Sequence, residues 1–360
     1  MKSHPLPLTS SAPRLKSHVL VTGGAGFIGS HLVTRLLADG KSVVVIDDLS
    51  TGSLDNLEAV KSHPRLRVIV STVSGCAELP QLAAEAESIY HLAAAVGVEL
   101  VVNSPIHTLQ TNLHETEVLL DAAVPHRVPV LLTSTSEVYG KSKAPAFNEE
   151  DDLLIGPPHQ ARWGYACSKL MDEFLALACA KERSLPVVVV RLFNTVGPRQ
   201  TGRYGMVVPR FIAAAKSGKP LQVYGDGLQT RCFCLVTATV EALVRLQGHP
   251  AACGQVFNVG STEEVSILQL AQLVIEVLGS RSTIEYIPYS RAYGTGFEDM
   301  QRRKPLVEKL ARVTGFRPAT QLREIIQVTS ATGSSPARKP ASGQGKGRPA
   351  KQKAPRTARR

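Results

Sequence analysis

The stretch VTGGAGFIGSH, residues 21–31, carries three glycines at steps of three, Gly23, Gly26 and Gly29. A β-branched run, HVLVT (18–22), leads into it, and a helix-like stretch, GSHLVTRLLADG (29–40), leads out. A strand-to-helix turn needs one backbone-permissive residue. Three indicate that something bulky and anionic must touch the main chain. Gly23 suits the sharp turn, Gly26 removes a Cβ where a pyrophosphate would approach, and Gly29 lets the helix pack closely on a sheet. The helix opening at Phe27 and Ile28 offers free N–H groups and the positive end of its dipole to phosphates. The spacing is GxxGxxG rather than the commoner GxGxxG, and a bare strand–helix turn also uses glycines, so a second signal is needed.

Asp47 provides one. It ends the next apolar run, SVVVID (42–47), where a carboxylate can accept from both adenosine ribose hydroxyls and disfavour a 2′-phosphate. NAD is therefore the expected cofactor. Asp48 suits capping of the following loop, and the two acids could exchange these roles.

Working outward, further buried-strand patterns appear at LRVIV (66–70), SIYHLA (88–93), VPVLLTS (128–134) and PVVVVRLF (186–193). Helix-like stretches separate them, among them NLHETEVLLDAA (112–123) and the long amphipathic WGYACSKLMDEFLALACAKER (163–183). This alternation predicts an α/β fold: a Rossmann-type doubly wound parallel sheet with helices on both faces. From Asn194 onward short strands (LQVYG, QVFNVG, IEYIP) mix with helices (VVPRFIAAAKSG, SILQLAQLVIEVLG), the pattern of a smaller mixed α/β substrate domain. The expected organisation is a flexible extension over 1–17, an NAD-binding domain over 18–193, a mainly nucleotide-sugar-binding domain over 194–330, and a disordered basic tail over 331–360.

The 360-residue chain is 43% hydrophobic, enough for a sizeable core, and no apolar run reaches membrane-spanning length. Its net charge of +11 belongs mostly to the tail, which holds nine lysines and arginines and no acid; the remainder carries +2. The tail is rich in Gly, Pro and Ala and cannot bury enough apolar surface to order itself, though it could bind polyanions nonspecifically. Six cysteines without a CxxC pair suit free thiols in the cytoplasm. The histidines show no HExxH spacing, and no metal site is expected.

The second constellation joins LLTSTSEVYG (131–140) to GYACSK (164–169). Tyr165 and Lys169 are four apart and share a helix face. A phenol titrating near ~10 is a poor base, but a neighbouring ammonium and a positive nicotinamide would lower that value. Thr135, at the end of a strand, can hold a substrate hydroxyl. Together these residues suit alcohol oxidation beside a dinucleotide. The plainer reading of Tyr165 is an anchor between helix and core.

With VTGGAGFIGSH, IDDLSTG, YHLAA, STSEVYG, YACSK, RLFNTVGPRQ, VVPRFI, VYGDGLQTR and FNVGS in this order, the chain from His18 to Gln327 resembles the extended short-chain dehydrogenases/reductases, in particular the NAD-dependent nucleotide-sugar epimerases, dehydratases and decarboxylases. The resemblance implies that Leu92, Ala93 and Ala94 line the cofactor and that Tyr165 and Lys169 also touch the nicotinamide ribose. It places Asn194 at the sugar diphosphate, and Val207, Val208, Tyr224 and Arg231 in segments that wrap the nucleotide. A guanidinium at Arg231 suits a diphosphate on its own chemistry too, against a surface salt bridge as the alternative. A homodimer is implied as well. Ser71, Thr72 and Val73 replace the Gly-Asp-Val with which relatives often meet adenine.

The shared opening step is oxidation at the sugar C4, after which the ketone can be re-reduced on its other face, lose a C5 carboxylate, or eliminate the C6 hydroxyl. Ser136 stands where dehydratases carry an Asp, which argues against elimination. STSEVYG with Glu137, and Arg303 in its Arg-Lys-Pro context, resemble UDP-glucuronate decarboxylases, with Arg303 holding a sugar carboxylate; Leu306 departs from their RKPD. GYACSK and IDDLSTG are equally at home in UDP-glucose 4-epimerases. Decarboxylation leads, epimerisation follows, and a non-catalytic NAD- or polyanion-binding protein is the alternative of another class.

Overall fold

The computed structural model of the chain describes residues 17–96, 104–202, 206–288, 291 and 300–331. The N-terminal extension up to residue 16 and the basic tail from residue 332 lie outside the described residues. The first half lays down β1 (His18–Thr22), β2 (Val43–Asp47), β3 (Leu66–Val70), β4 (Ala86–His91), β5 (Val130–Thr135) and β6 (Val187–Leu192). Helices α1 (Phe27–Ala38), α2 (Leu79–Glu85), α3 (Pro105–Ala123) and α4 (Ala161–Arg183) alternate with them. β1, β2 and β5 are buried at every position, as β-branched runs covered on both faces must be. The second half holds β7 (Thr195–Val196), α5 (Val207–Lys216), β8 (Leu221–Tyr224), β9 (Thr230–Cys232), β10 (Cys234–Leu235), α6 (Val236–Leu246) and β11 (Gln255–Val259). Then follow β12 (Glu264–Ser266), α7 (Ile267–Val277), β13 (Ile284–Ile287), α8 (Glu308–Thr314) and α9 (Leu322–Ala331).

Seven strands form one parallel sheet in the order β11-β6-β5-β4-β1-β2-β3. Strand order reverses between β1 and β4, so the crevice beyond their carboxyl ends is where a doubly wound sheet takes its ligand. α1 and α6 cover one face through Leu32, Leu36, Leu243 and Leu246 against Val21, Val190 and Phe257. α2, α3 and α4 cover the other through Leu79, Leu119, Leu120 and Ala176 against Leu20, Ile89 and Val189.

The chain does not divide cleanly at residue 193. β11 pairs in parallel with β6, Gln255 opposite Val188 through Val259 opposite Leu192, and α6 packs in the same core as α1. Residues of the expected second domain thus complete the first domain's sheet and one of its flanks. α8 joins that first core through Leu310, whereas α5, α7 and α9 have a core of their own, where Phe211, Leu270, Val274, Ile325 and Ile326 meet. α7 begins with a capping box: Ser266 Oγ accepts from Gln269 N–H, and the Gln269 side chain accepts from Ser266 N–H. Among the described residues, no helix is long and apolar enough to cross a membrane.

Candidate active site

The glycine turn sits where β1 ends, and its geometry accounts for each glycine. Gly23 adopts φ +71°, and a Cβ there would lie 2.7 Å from the Ala93 nitrogen, so this residue is what lets the turn touch the loop after β4. A Cβ on Gly29 would stand 2.1 Å from the Gly23 carbonyl oxygen, which only a glycine avoids. Gly26 differs. A Cβ there would meet only that same oxygen, at 3.1 Å, so the space in front of the backbone is open. Gly26 is also the N-cap of α1, with no side-chain cap and no acidic residue in the first turn. The Phe27 and Ile28 end of the helix is therefore an open, electropositive cradle that fits a dinucleotide pyrophosphate.

Asp47 is 7% exposed at the end of β2. Its Oδ2 accepts the Ala25 N–H and its Oδ1 the Leu49 N–H, both at 2.9 Å, so it braces the glycine turn as well as bordering the crevice. Burial pushes its carboxyl up, against the pull of those N–H groups. Asp48 takes the capping role, with Oδ1 accepting from Ser50 N–H and Ser50 Oγ–H at 2.9 and 2.6 Å. Leu92, Ala93 and Ala94 follow β4, with Leu92 and Ala93 N–H groups donating to Thr22 O and Thr22 Oγ1.

Thr135 ends β5 and caps the short 3-10 turn Ser136–Tyr139, its hydroxyl accepting from Glu137 N–H at 3.2 Å. It also hydrogen-bonds the Tyr165 phenol, which α4 brings alongside. Glu137 lies on the same turn and is gripped by guanidinium groups. Arg162 reaches both carboxylate oxygens, with contacts of 2.8 and 2.9 Å to Oε2, and Arg303 Nη1 donates to Oε1 at 2.7 Å. Burial works to raise the Glu137 carboxyl, but Arg162, Arg303 and Arg231 overcome it and hold the group at about 2. Arg303 also donates to Ser136 Oγ at 2.6 Å. Arg303 is therefore positioned among the residues of the Tyr165 turn, gripping the protein's own carboxylate.

Two expectations change here. The Tyr165 phenol is pushed up rather than down: burial raises it, the Glu137 charge adds to that, and the Thr135 hydrogen bond and Arg303 oppose it. The Lys169 ammonium is itself engaged, donating to Asp172 Oδ2 at 2.8 Å in a pair that is 3% and 0% exposed. The expected lowering rests on Lys169 together with a positive nicotinamide. In the second half, Val208 is 0% exposed within the α5–α7–α9 core, so its side chain cannot face a ligand. Val207 packs partly against that core, Tyr224 stacks beneath Arg210 at 4.6 Å, and Asn194 Nδ2 donates to Cys232 O at 2.9 Å. Arg231 is 7% exposed, which removes the surface salt bridge as its explanation.

Three site residues escaped sequence reasoning. Arg162, three before Tyr165, reads as an ordinary helix cation. Asp172 reads as an ordinary helix acid. Asn112 sits on the buried side of α3, where its Oδ1 accepts Ala95 N–H at 2.7 Å and its Nδ2 donates to Ser168 Oγ at 3.1 Å. That ties the loop after β4 to the helix carrying Tyr165 and Lys169. The polar stripe of Thr108, Asn112 and Thr116, at four-residue steps on one helix face, was the available signal for it. Beneath Thr135, Ser134 Oγ donates to Glu173, which Arg191 grips at 2.8 Å, fixing β5, α4 and β6 to one another.

A glycine cradle at the sheet crossover, with Thr135, Tyr165 and Lys169 beside it, defines a dinucleotide-dependent enzyme fold of the short-chain dehydrogenase/reductase type. The chain belongs to the NAD dependent epimerase/dehydratase family, whose model matches residues 19–260, and NAD is its cofactor. It is 39% identical to a UDP-N-acetyl-alpha-D-glucosaminuronate decarboxylase of Bacillus cytotoxicus over 87% of this chain and 98% of that protein. It is 34% identical to UDP-glucuronic acid decarboxylase 1 of Danio rerio, over 90% of this chain and 74% of that one. Among solved structures, UDP-glucuronic acid 4-epimerase from Bacillus cereus, in complex with UDP-glucuronic acid and NAD, superposes with a TM-score of 0.78 at 26% identity, covering 87% and 98% of the two chains.

Proposed function

We propose that the protein removes CO2 from a UDP-hexuronate, UDP-glucuronate being the leading substrate, through transient oxidation at C4. One observation carries this reading: Arg162, Arg231 and Arg303 all act on the single carboxylate of Glu137 beside Tyr165. Guanidinium groups gathered next to the proton acceptor suit a sugar that brings its own carboxylate. The two decarboxylase relatives support it.

NAD, when bound, accepts a hydride from the substrate and later returns it. Tyr165 takes the C4 hydroxyl proton while Thr135 orients that hydroxyl. The C4 ketone then stands β to the carboxylate, so the C5–C6 bond breaks, CO2 leaves, and the bonding electrons enter the ketone as an enolate. A proton from water takes the place of the carboxylate at C5, and re-reduction at C4 lets Tyr165 return its proton to the C4 oxygen. Glu137, held at about 2, stays ionised at neutral pH. It orients Arg162 and Arg303 and does not donate the C5 proton from its resting state. Asn194, Tyr224 and Arg231, with the backbone of Val207 and Val208, are assigned to the UDP moiety.

Similarity to the Bacillus cereus epimerase favours a second reading, inversion at C4 without loss of CO2. Incubation of the NAD-loaded protein with UDP-glucuronate, UDP-N-acetylglucosaminuronate and UDP-glucose, followed by mass spectrometry, separates the two. Loss of CO2 without accumulation of NADH is the expected result. UDP-glucose and UDP-galactose interconverting while UDP-glucuronate stays unchanged or only inverts would overturn it.

We assign the protein to the cytoplasm, which its six unpaired cysteines suit. We also assign it to a homodimer through α3 and α4, where Ile106, Leu109, Leu113, Met171 and Phe174 leave an apolar face exposed.

A further inference from the structure

We propose that Asp172 is a positioning residue that holds the Lys169 ammonium in place and sets the pH range over which the Tyr165–Lys169 pair works. This rests on the roles assigned to Tyr165 and Lys169 above and adds a third member to them. Asp172 lies one helical turn beyond Lys169 and accepts from its Nζ at 2.8 Å, and both side chains are closed off from solvent. Lys169 has no other partner among the described residues, so one of its three N–H bonds is spent on Asp172 and two remain for ligand or phenol. On its other side the Asp172 carboxylate faces the Thr116 hydroxyl of α3, so helix and neighbour together fix where it can point. A carboxylate closed off from water is costly unless paired, and here the pairing is with an ammonium. What the carboxylate does is fix a cation.

The surroundings leave Asp172 as the anion nearest Lys169. α3 buries only Thr108, Asn112, Thr116, Leu119, Leu120 and Ala123 against the core, none of them ionisable. β4 brings His91, which burial, and then the Lys169 charge, depress to about 3, so it is neutral. β5 contributes Ser134 and Thr135. Glu173 on α4 is neutralised by Arg191 from β6, and Glu137 on the 3-10 turn by Arg162 and Arg303. The negative charge of Asp172 also reaches Tyr165, where it raises the phenol.

The sign of the effect is fixed. Removing an anion lowers the pKa of a phenol it faces, so Tyr165 titrates at lower pH without Asp172. In Asp172→Asn, which preserves shape, the limb of the kcat/KM profile for UDP-glucuronate that reports Tyr165 should move acidward by about one unit. A second readout needs no substrate: tyrosinate absorbance of the full-length protein, with and without NAD, taken as a difference against the same variant carrying Tyr165→Phe. The Tyr165 titration should move acidward in Asp172→Asn and return toward the native value in Asp172→Glu. Unmoved tyrosinate titration in Asp172→Asn, with the protein folded by circular dichroism, overturns the proposal, and so does loss of amplitude alone. If Asp172→Asn does not fold, Asp172→Ser is titrated in its place by the same criterion. If UDP-glucuronate is not consumed yet the tyrosinate titration shifts, the decarboxylase reading fails and the role of Asp172 stands.

Discussion

Removing Arg303 tests the reading of the site at its centre. In the resting protein Arg303 donates to Glu137 Oε1 at 2.7 Å and to Ser136 Oγ at 2.6 Å, with side chains 13% and 14% exposed across the ion pair. Charge-assisted bonds of this kind contribute about 1.5–3 kcal/mol each. Arg162 keeps its two-pronged grip on Glu137 in Arg303→Ala, so the carboxylate is weakened rather than abandoned. The expected loss of stability is therefore about 2–3 kcal/mol, well below the sum of two buried contacts. Catalysis should suffer more selectively. If Arg303 meets the substrate carboxylate or the enolate, kcat/KM for CO2 release should fall about a hundredfold, equivalent to ~2.7 kcal/mol of transition-state stabilisation. NAD affinity should hold within about twofold, because Arg303 is engaged with Glu137 and Ser136 on the turn after β5 rather than with the glycine turn after β1. Arg303→Lys keeps the charge without the fork and should recover part of the loss.

The pH dependence of stability gives an independent check on the same residue. Glu137 is depressed to about 2 in the folded chain, below the ~4.3 of an unperturbed glutamate. Its contribution to stability is thus present above about pH 4.3 and lost as pH falls toward 2. Without Arg303 the folded value rises, so the contribution shrinks; its loss still begins near pH ~4.3 but is complete at a higher pH. Stopped CO2 release, cofactor titration and acid unfolding of the two variants measure all three quantities. CO2 release within threefold of native, or NAD affinity falling in step with turnover, would refute the placement of Arg303 at the sugar.

Asp47→Ala should do more than relax cofactor choice: NAD preference of about tenfold over NADP, ~1.4 kcal/mol, should vanish, and stability should fall by about 1–3 kcal/mol because the Ala25 N–H loses its acceptor. Calorimetric titration with both cofactors checks the first part, and equal binding by the native protein would remove Asp47 from that role. For the homodimer, Leu109→Glu with Phe174→Glu should convert a two-chain mass in light scattering to a one-chain mass; a native protein already of one-chain mass would end that assignment.

The glycine turn, the strand runs and the shared helix of Tyr165 and Lys169 were legible because each depends on local spacing: a permissive turn, a β-branched run, a four-residue helical step. What lay beyond reach depended on distance in sequence. QVFNVG reads correctly as a strand, yet its partner in β6 lies more than sixty residues earlier, and nothing local tells it to join the large sheet. Its alternation suited either lobe. Arg162 and Asp172 are ordinary polar residues of an amphipathic helix until α4 is docked. Then the face carrying Tyr165 and Lys169 is buried, and any charge near it must find a partner or be neutralised.

The sign of the Tyr165 perturbation illustrates the same point more sharply. Spacing shows that an ammonium stands near the phenol, and from that alone a lowered pKa follows. Packing adds three facts that spacing lacks: the phenol is shielded, Glu137 faces it, and Lys169 is already paired with Asp172. Each of the first two opposes phenolate, and the third removes much of the help expected from Lys169. Without a bound dinucleotide, burial and the Glu137 charge therefore hold the phenol above its ordinary value. Two carboxylates, Glu137 and Asp172, are balanced by cations that point at them rather than at Tyr165. Only a further positive charge beside the phenol tips that balance, and the oxidised nicotinamide brings one. Under the proposed mechanism, proton abstraction at C4 would then depend on the same event that makes hydride removal from C4 possible, and charge would tie the two halves of the alcohol oxidation together.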